Sequence, residues 1–415
     1  MRSTTVPAAC AAALICAFSA SPALAAKESI IYSFTGGADG GFPQGGVIAD
    51  ASGNFYGATT SDGTGHNGVV YELSPPAKGQ KSWTQTTLYN FTGGNDGGVP
   101  QAGLMLSKKG ALYGTTYAGG ANGDGVVFEL TPPASGKTAW KEKVLWTFTG
   151  GNDGNEPSGV LIEDKAGNLY GTTTGGGTGV VGTVFELSPP AKGQTAWTET
   201  VLYNFTGNND GGEPFGRMLF GGDGNLYGTS AGYGQYNYGT IYRLIAPTGG
   251  SGSWTFALLH AFAGGKDGAA PRDGLIQGSD GTLYGTSAGF ADDYGNVYLL
   301  QTDGSGYQVI YNIPGGTGFS GNGPWQTVSM GANGVLYGTT FGLGANASGT
   351  VFKVNPPAAG STKWTHNVLY TFSPGAGGQF PYSTVLVGTG YVYGTTYGSA
   401  GESGFFPGTV WSIKQ

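Results

Sequence analysis

The sequence predicts an all-β fold, a seven-bladed β-propeller with four-stranded blades, and three observations carry that prediction. The first is composition: 83 of 415 residues are glycine and 21 are proline, against an average glycine share of about 7%. Glycine costs roughly 1 kcal/mol against alanine inside a helix, which excludes a largely helical chain. The glycines do not fall on every third residue, which excludes collagen. With 39% apolar and 13% aromatic residues, the chain holds more material for burial than a disordered tract does. Many short strands joined by tight turns are what remain. The second observation is self-similarity. Leu-Tyr-Gly-Thr-Thr recurs with small variations, its tyrosine at Tyr56, Tyr113, Tyr170, Tyr227, Tyr284, Tyr337 and Tyr393, at spacings of 57, 57, 57, 57, 53 and 56 residues. The third is that the two ends are complementary. Residues 30–34 match a fourth-strand run and residues 408–413 a third-strand run, so the N-terminal strand completes the last blade and closes the ring.

Within each copy the elements follow in a fixed order. In the third, residues 159–162 form an innermost apolar run, and the turn over 164–168 leads into 169–173, whose side chains alternate across a strand. A glycine-rich loop precedes 182–187, Pro189-Pro190 ends that ladder, and 197–205 gives a longer fourth run. Four strands in a repeat of this length are the signature of a propeller blade. Residues 1–26 read as an export signal, with Arg2 at its positive start, an apolar segment over 8–18 and the small-residue site Ala23-Leu24-Ala25. That segment is too short to span a bilayer, and no later segment is long enough. Residues 27–415 then form one domain. Cys10 and Cys16 both fall in the signal, so the mature chain is expected to have no disulfide, thiol nucleophile or cysteine ligand. A copper-radical oxidase with its Cys–Tyr crosslink is excluded on the same ground, and bulky Ile15 argues against lipid attachment at Cys16.

The recurring string xGNLYGTTxxGGxxxxGTVFELxPP resembles the Gloeo/Verruco repeat of secreted bacterial choice-of-anchor proteins over nearly all of residues 27–415. The resemblance implies a propeller-like architecture and no settled activity. Many of its relatives carry a C-terminal anchor where this sequence ends at Gln415, so the resemblance leaves surface attachment open. The shorter string Asp-x-x-Gly-Asn-Leu-Tyr-Gly-Thr is also similar to sensor propellers of bacterial two-component regulators and to lactonase-type propellers.

Charge narrows the partners. Only 10% of residues are charged, the formal net charge is −7, and no basic stripe exists to displace counterions from nucleic acid. A surface of uncharged polar residues suits a monomer exported to the periplasm or medium that meets a polar ligand such as a glycan.

Repeated residues are read as structure. The tyrosine and threonines of each Leu-Tyr-Gly-Thr-Thr stabilise sheet packing, and Pro75-Pro76, Pro132-Pro133, Pro189-Pro190 and Pro356-Pro357 terminate strands. Asp39, Asp96, Asp153, Asp210 and Asp267 recur in Gly-Gly-x-Asp-Gly turns, where aspartate bonds to the backbone. Calcium is the alternative there, against a need for 6 to 8 oxygens; no other cofactor and no metal is predicted.

Function is expected where the copies differ. The position after each connecting proline leads into the innermost strand and points near the axis, where propeller ligands bind. Its occupants are Gln44, Gln101, Ser158, Phe215, Arg272, Trp325 and Tyr382. Drift beside a solvent-filled channel is the alternative account of that variety. Arg217 interrupts an apolar inner strand, its equivalents read as Val47, Leu104 and Val160. On the same face, the fourth copy's loop carries Tyr233, Tyr236 and Tyr238, and the fifth carries Phe290, Asp292, Asp293 and Tyr294. Aromatic platforms beside polar groups suit sugars, although exposed tyrosines also cap blade edges.

Three functions follow: a carbohydrate-binding propeller, a carbohydrate-active enzyme on the same face, or a cell-surface interaction scaffold. The enzyme candidates are Glu156 and Glu213, at equivalent positions before Pro157 and Pro214, as the paired carboxylates of a glycoside hydrolase. Arg217 with tyrosines in a polysaccharide lyase is the other form. A recent duplication of neighbouring copies explains the glutamate pair equally. The three histidines, His66, His260 and His366, are not spaced as a metal site, and no G-x-S-x-G elbow, phosphate loop or zinc signature occurs.

Overall fold

Strands of five to seven residues bury little by themselves, so each blade must pack its faces against its neighbours. A computed structural model describes residues 27–250, 252–289, 294–314, 323–344, 347–375, 378–401 and 404–415. Its strands form seven antiparallel blades arranged as a propeller, one per repeat, each with four strands from axis to rim; in blade 3 Asn155–Pro157 adds a fifth strand, and Ser399–Gly401 pairs with Gly404–Phe406 outside the blade sheets. With strands lettered a to d from axis to rim, blade 3 runs Ile162–Glu163, Leu169–Gly175, Thr183–Ser188 and Thr198–Asn204. Blade 7 takes strands a to c from Leu386–Gly388, Tyr391–Thr396 and Thr409–Lys414, and its strand d is Glu28–Ser33. Glu28 pairs with Ile413 and Ser33 with Thr409, so the N-terminal strand closes the ring as the sequence predicts. Among the described residues there is no α-helix, and no helix is long and apolar enough to cross a membrane. The predicted signal, with Cys10 and Cys16, lies outside the described residues.

The Tyr-Gly step of the repeat has a packing cause. In each blade the strand b glycine lies under the aromatic ring of strand c: a Cβ on Gly171 would stand 2.6 Å from Phe185, and one on Gly228 2.5 Å from the Tyr242 hydroxyl. Both rings are fully buried. Gly171→Ala is expected to lower stability by about 1–3 kcal/mol through overpacking, read as a lower urea midpoint; an unchanged midpoint would mean that the ring moves aside freely.

The apolar core lies between blades. One cluster joins Tyr56, Val70 and Phe91 of blade 1 to Leu104, Leu112 and Phe128 of blade 2, and another joins Phe34 and Val410 of blade 7 to Val47, Phe55 and Tyr71 of blade 1. The first threonine of the repeat staples the blades near the axis. Its hydroxyl donates to a carbonyl of the next blade: Thr172 to Gly216 at 3.3 Å, Thr229 to Asp273 at 2.7 Å, Thr286 to Gln326 at 3.0 Å, Thr339 to Ser383 at 3.2 Å and Thr395 to Gly45 at 3.3 Å. Strand a of blade 3 is shorter than the predicted run. Residues 159–161 lie outside its ladder, and a Cβ on Gly159 would meet the Gly216 carbonyl at 2.7 Å.

The rim is joined through strand d. One residue there leans on the preceding blade's strand d: Phe256 stacks on Tyr203 at 4.7 Å, Tyr307 on His260 at 3.7 Å and His366 on Tyr311 at 4.1 Å. In three blades the residue is a glutamate, Glu28, Glu142 or Glu199, each with Oε1 buried and unpartnered. Burial pushes the Glu142 and Glu199 carboxyls up to about 7, and the charges of Asp96 and Asp153 add to the effect. Their ordinary value is 4.5, so the folded chain holds protons that the unfolded chain releases. That contribution is complete below pH 4.5 and is lost as pH rises through about 7. After solvent screening the expected loss is roughly 1 kcal/mol per group. Urea midpoints at pH 5 and pH 8 check it, and Glu142→Gln with Glu199→Gln should flatten the difference.

Candidate functional site

Six of the connections from a strand d to the next strand a pass through a residue held in the left-handed region just before proline. These residues are Phe42, Val99, Glu156, Glu213, Ala270 and Phe380, with φ from 49° to 60°. Side chains rarely occupy this region unless their surroundings enforce it, and here two hydrogen bonds do so. The N–H donates to the preceding blade's b–c loop, as from Glu213 to the Val181 carbonyl at 2.8 Å. The carbonyl accepts from the residue after its own strand b, as from Ala231 N to Glu213 O at 3.1 Å. Proline follows, and the next side chain reaches the axis.

All seven axial positions read from the sequence meet there. Gln44, Gln101, Ser158, Phe215, Arg272, Trp325 and Tyr382, together with Gln326, line a mouth of about 70 Å³. Gln101, Ser158, Phe215, Arg272 and Gln326 also line a channel cavity of about 420 Å³ beneath it, a volume suited to a small ligand. The Arg272 guanidinium lies 4.3 Å above the Trp325 ring and 5.8 Å from Phe215, which fixes the cation by its attraction to the ring faces. Ser158 Oγ is buried without a hydrogen-bond partner.

The aromatic surface extends beyond the predicted residues. Trp325 stacks on Phe341 at 5.0 Å, Phe341 on Phe380 at 4.9 Å, and Tyr382 meets Trp325 at 5.2 Å and Tyr397 at 6.1 Å. Phe42 lies 5.0 Å from Tyr397 and completes a shelf of aromatic rings across blades 6, 7 and 1. Burial pushes the Tyr382 hydroxyl up to about 12 even though Arg272 acts in the opposite direction.

Beneath the mouth, Arg217 lines the channel as expected, but its repeat equivalents need correction. It aligns with Gly46, Gly103 and Val160; Val47 and Leu104 align with buried Met218 one residue later. The arginine therefore replaces a small channel-lining residue and not a core residue. The sequence reading missed Asp273. Its Oδ1 accepts from Arg217 N at 3.2 Å and Gly274 N at 2.7 Å, and its Oδ2 from Thr327 N at 3.0 Å and the Thr384 hydroxyl at 3.1 Å. One buried carboxylate thus ties blades 4, 5, 6 and 7 together at the axis.

The Gloeobacter/Verrucomicrobia repeat matches residues 16–218 and 143–320. The chain belongs to this repeat family. No curated protein matches it. Among solved structures, the extracellular domain of a one-component system from B. thetaiotaomicron is similar at 14% identity and a TM-score of 0.53, over 93% of this chain and 42% of that one; at this identity the likeness shows the fold alone. An oxidoreductase (glucose dehydrogenase) from Thermus thermophilus gives 14% identity and a TM-score of 0.43 over 94% and 99% of the two chains. The PQQ-bound aldose sugar dehydrogenase of Streptomyces coelicolor gives 10% and 0.43 over 94% and 98%.

In this Gloeobacter/Verrucomicrobia repeat protein the remaining candidates lie away from the axis. Tyr233 and Tyr236 are exposed in the b–c loop of blade 4. Tyr238 packs over Gly264 and against the core between blades 4 and 5, and Tyr294 packs against the core between blades 5 and 6. None of the four lines the mouth or the channel, because strands b and c stand farther from the axis than strand a. Phe290, Asp292 and Asp293 lie outside the described residues. Glu156 and Glu213 also line neither space. Glu156 accepts from Thr174 Oγ1 at 3.2 Å, while the Glu213 carboxylate lies over Gly232. The repeated aspartates hold turns: Asp210 accepts from Tyr203 and Thr206 at 2.6–2.8 Å. Among the described residues no three His, Cys, Asp or Glu gather as metal ligands.

Proposed function

We propose that this protein is exported and binds a carbohydrate at the channel mouth. The observation that carries the reading is the shelf formed by Trp325, Phe341, Phe380, Tyr382, Tyr397 and Phe42, set beside the polar mouth residues Gln44, Gln101, Ser158 and Arg272. Sugar rings offer apolar C–H faces to aromatic platforms and hydroxyls to planar amides and guanidinium groups. A helix- or strand-docking partner would need a longer apolar groove than this concave mouth supplies.

A glycan array probed with residues 27–415 tests the reading. Retention of one class of oligosaccharide, lost in the Trp325→Ala variant, is the expected result. An array without retained carbohydrate overturns it. Assay of the retained glycan for new reducing ends or unsaturated products separates a binder from a hydrolase or lyase.

A further inference from the structure

Building on the carbohydrate reading, we infer that the ligand is an anionic saccharide whose oxyanion, a uronate carboxylate or a sulfate ester, enters the channel between Arg217 and Arg272. The chain has four arginines, Arg2, Arg217, Arg243 and Arg272, and two of them line this one cavity. Arg243, on strand c of blade 4, donates to the Thr302 carbonyl at 3.2 Å. Neither channel arginine forms an ion pair with a described residue; the ion pair found is His260 with Asp267 at the rim.

Asp273 offsets one of the two positive charges but forms an ion pair with neither arginine. Both of its oxygens are held by hydrogen bonds from three backbone N–H groups and the Thr384 hydroxyl, which join the blades. With Arg217, Arg272 and Asp273 as its charged residues, the cavity lining carries a formal charge of +1 in a chain whose net charge is −7. A local excess of the opposite sign inside low-dielectric walls concentrates anions. Each guanidinium presents a planar fork of five donors that matches an oxyanion in pairs. Arg272 is already oriented by Trp325 and Phe215, which lowers the ordering cost of binding. Lysine would have supplied charge without the fork, and the chain uses lysine at most of its other cationic positions.

Calorimetric titration of residues 27–415 tests this with four probes: trigalacturonate, neutral trigalactose, a sulfated trigalactose and inorganic sulfate. At least tenfold tighter binding of either acidic trisaccharide than of trigalactose is expected, falling in added salt. In Arg217→Met, with an unchanged melting midpoint, the ratio should drop toward one, and Arg217→Lys should restore part of it. Equal affinity for acidic and neutral trisaccharides overturns the inference and leaves the carbohydrate reading standing. Binding of inorganic sulfate without any saccharide, or the absence of all binding, overturns the inference, while the glycan array decides the carbohydrate reading separately.

Discussion

Trp325→Ala is expected to weaken binding of the array-selected oligosaccharide by about thirtyfold or more, with little change in thermal midpoint. The indole joins the two halves of the mouth: it stacks on Phe341, meets Tyr382 and carries Arg272 on its face. Its removal takes away the central platform and releases the guanidinium that it orients. Loss of a central aromatic anchor typically costs about 2 kcal/mol or more, which is the thirtyfold figure. Stability should change little, because the ring is only half-buried at the mouth and lies outside the inter-blade clusters. Titration calorimetry with wild type and variant reads the effect, and equal affinity would remove Trp325 from the site.

Asp273→Asn is expected to destabilise the folded ring by about 2–3 kcal/mol and to weaken ligand binding with it. The carboxylate is buried and takes four donors, two on each oxygen. An asparagine keeps one acceptor and turns an NH₂ toward two donors, leaving buried N–H or O–H groups without partners. Those groups belong to the inner segments of blades 4 to 7, so the damage reaches the mouth. Urea denaturation measures it; a midpoint equal to wild type would mean that the inner segments hold together without this carboxylate.

The architecture was legible because each structural requirement repeats. Turn glycines, strand-ending proline pairs and the Tyr-Gly step recur at nearly constant spacing, and one copy explains the others. The mouth was legible for the complementary reason: the residue after each connecting proline occupies one column of the repeat, and every member of that column reaches the axis. Phe341 and Tyr397 follow strand b, and Phe42 and Phe380 precede the proline. A hydrogen bond brings those two columns side by side, as between Tyr397 N and Phe380 O at 2.9 Å. Their variety was a usable signal, hidden by reading the repeat as structure throughout. Asp273 was not legible, because its role depends on donors 54 to 111 residues away along the chain. Tyr233 and Tyr236 share the face but not the radius, and radius is set by the strand from which a loop departs. The one-residue slip at Arg217 arose because Gly-Gly, Gly-Val and Gly-Arg all precede the first buried inner-strand residue.

A crystal structure of residues 27–415 soaked with the array-selected oligosaccharide puts the binding site to the test. Saccharide density against Trp325 and Tyr382, with polar groups reaching Arg272, is the predicted result. A saccharide seated on the blade rim or in the b–c loops, with the mouth unliganded, would contradict it.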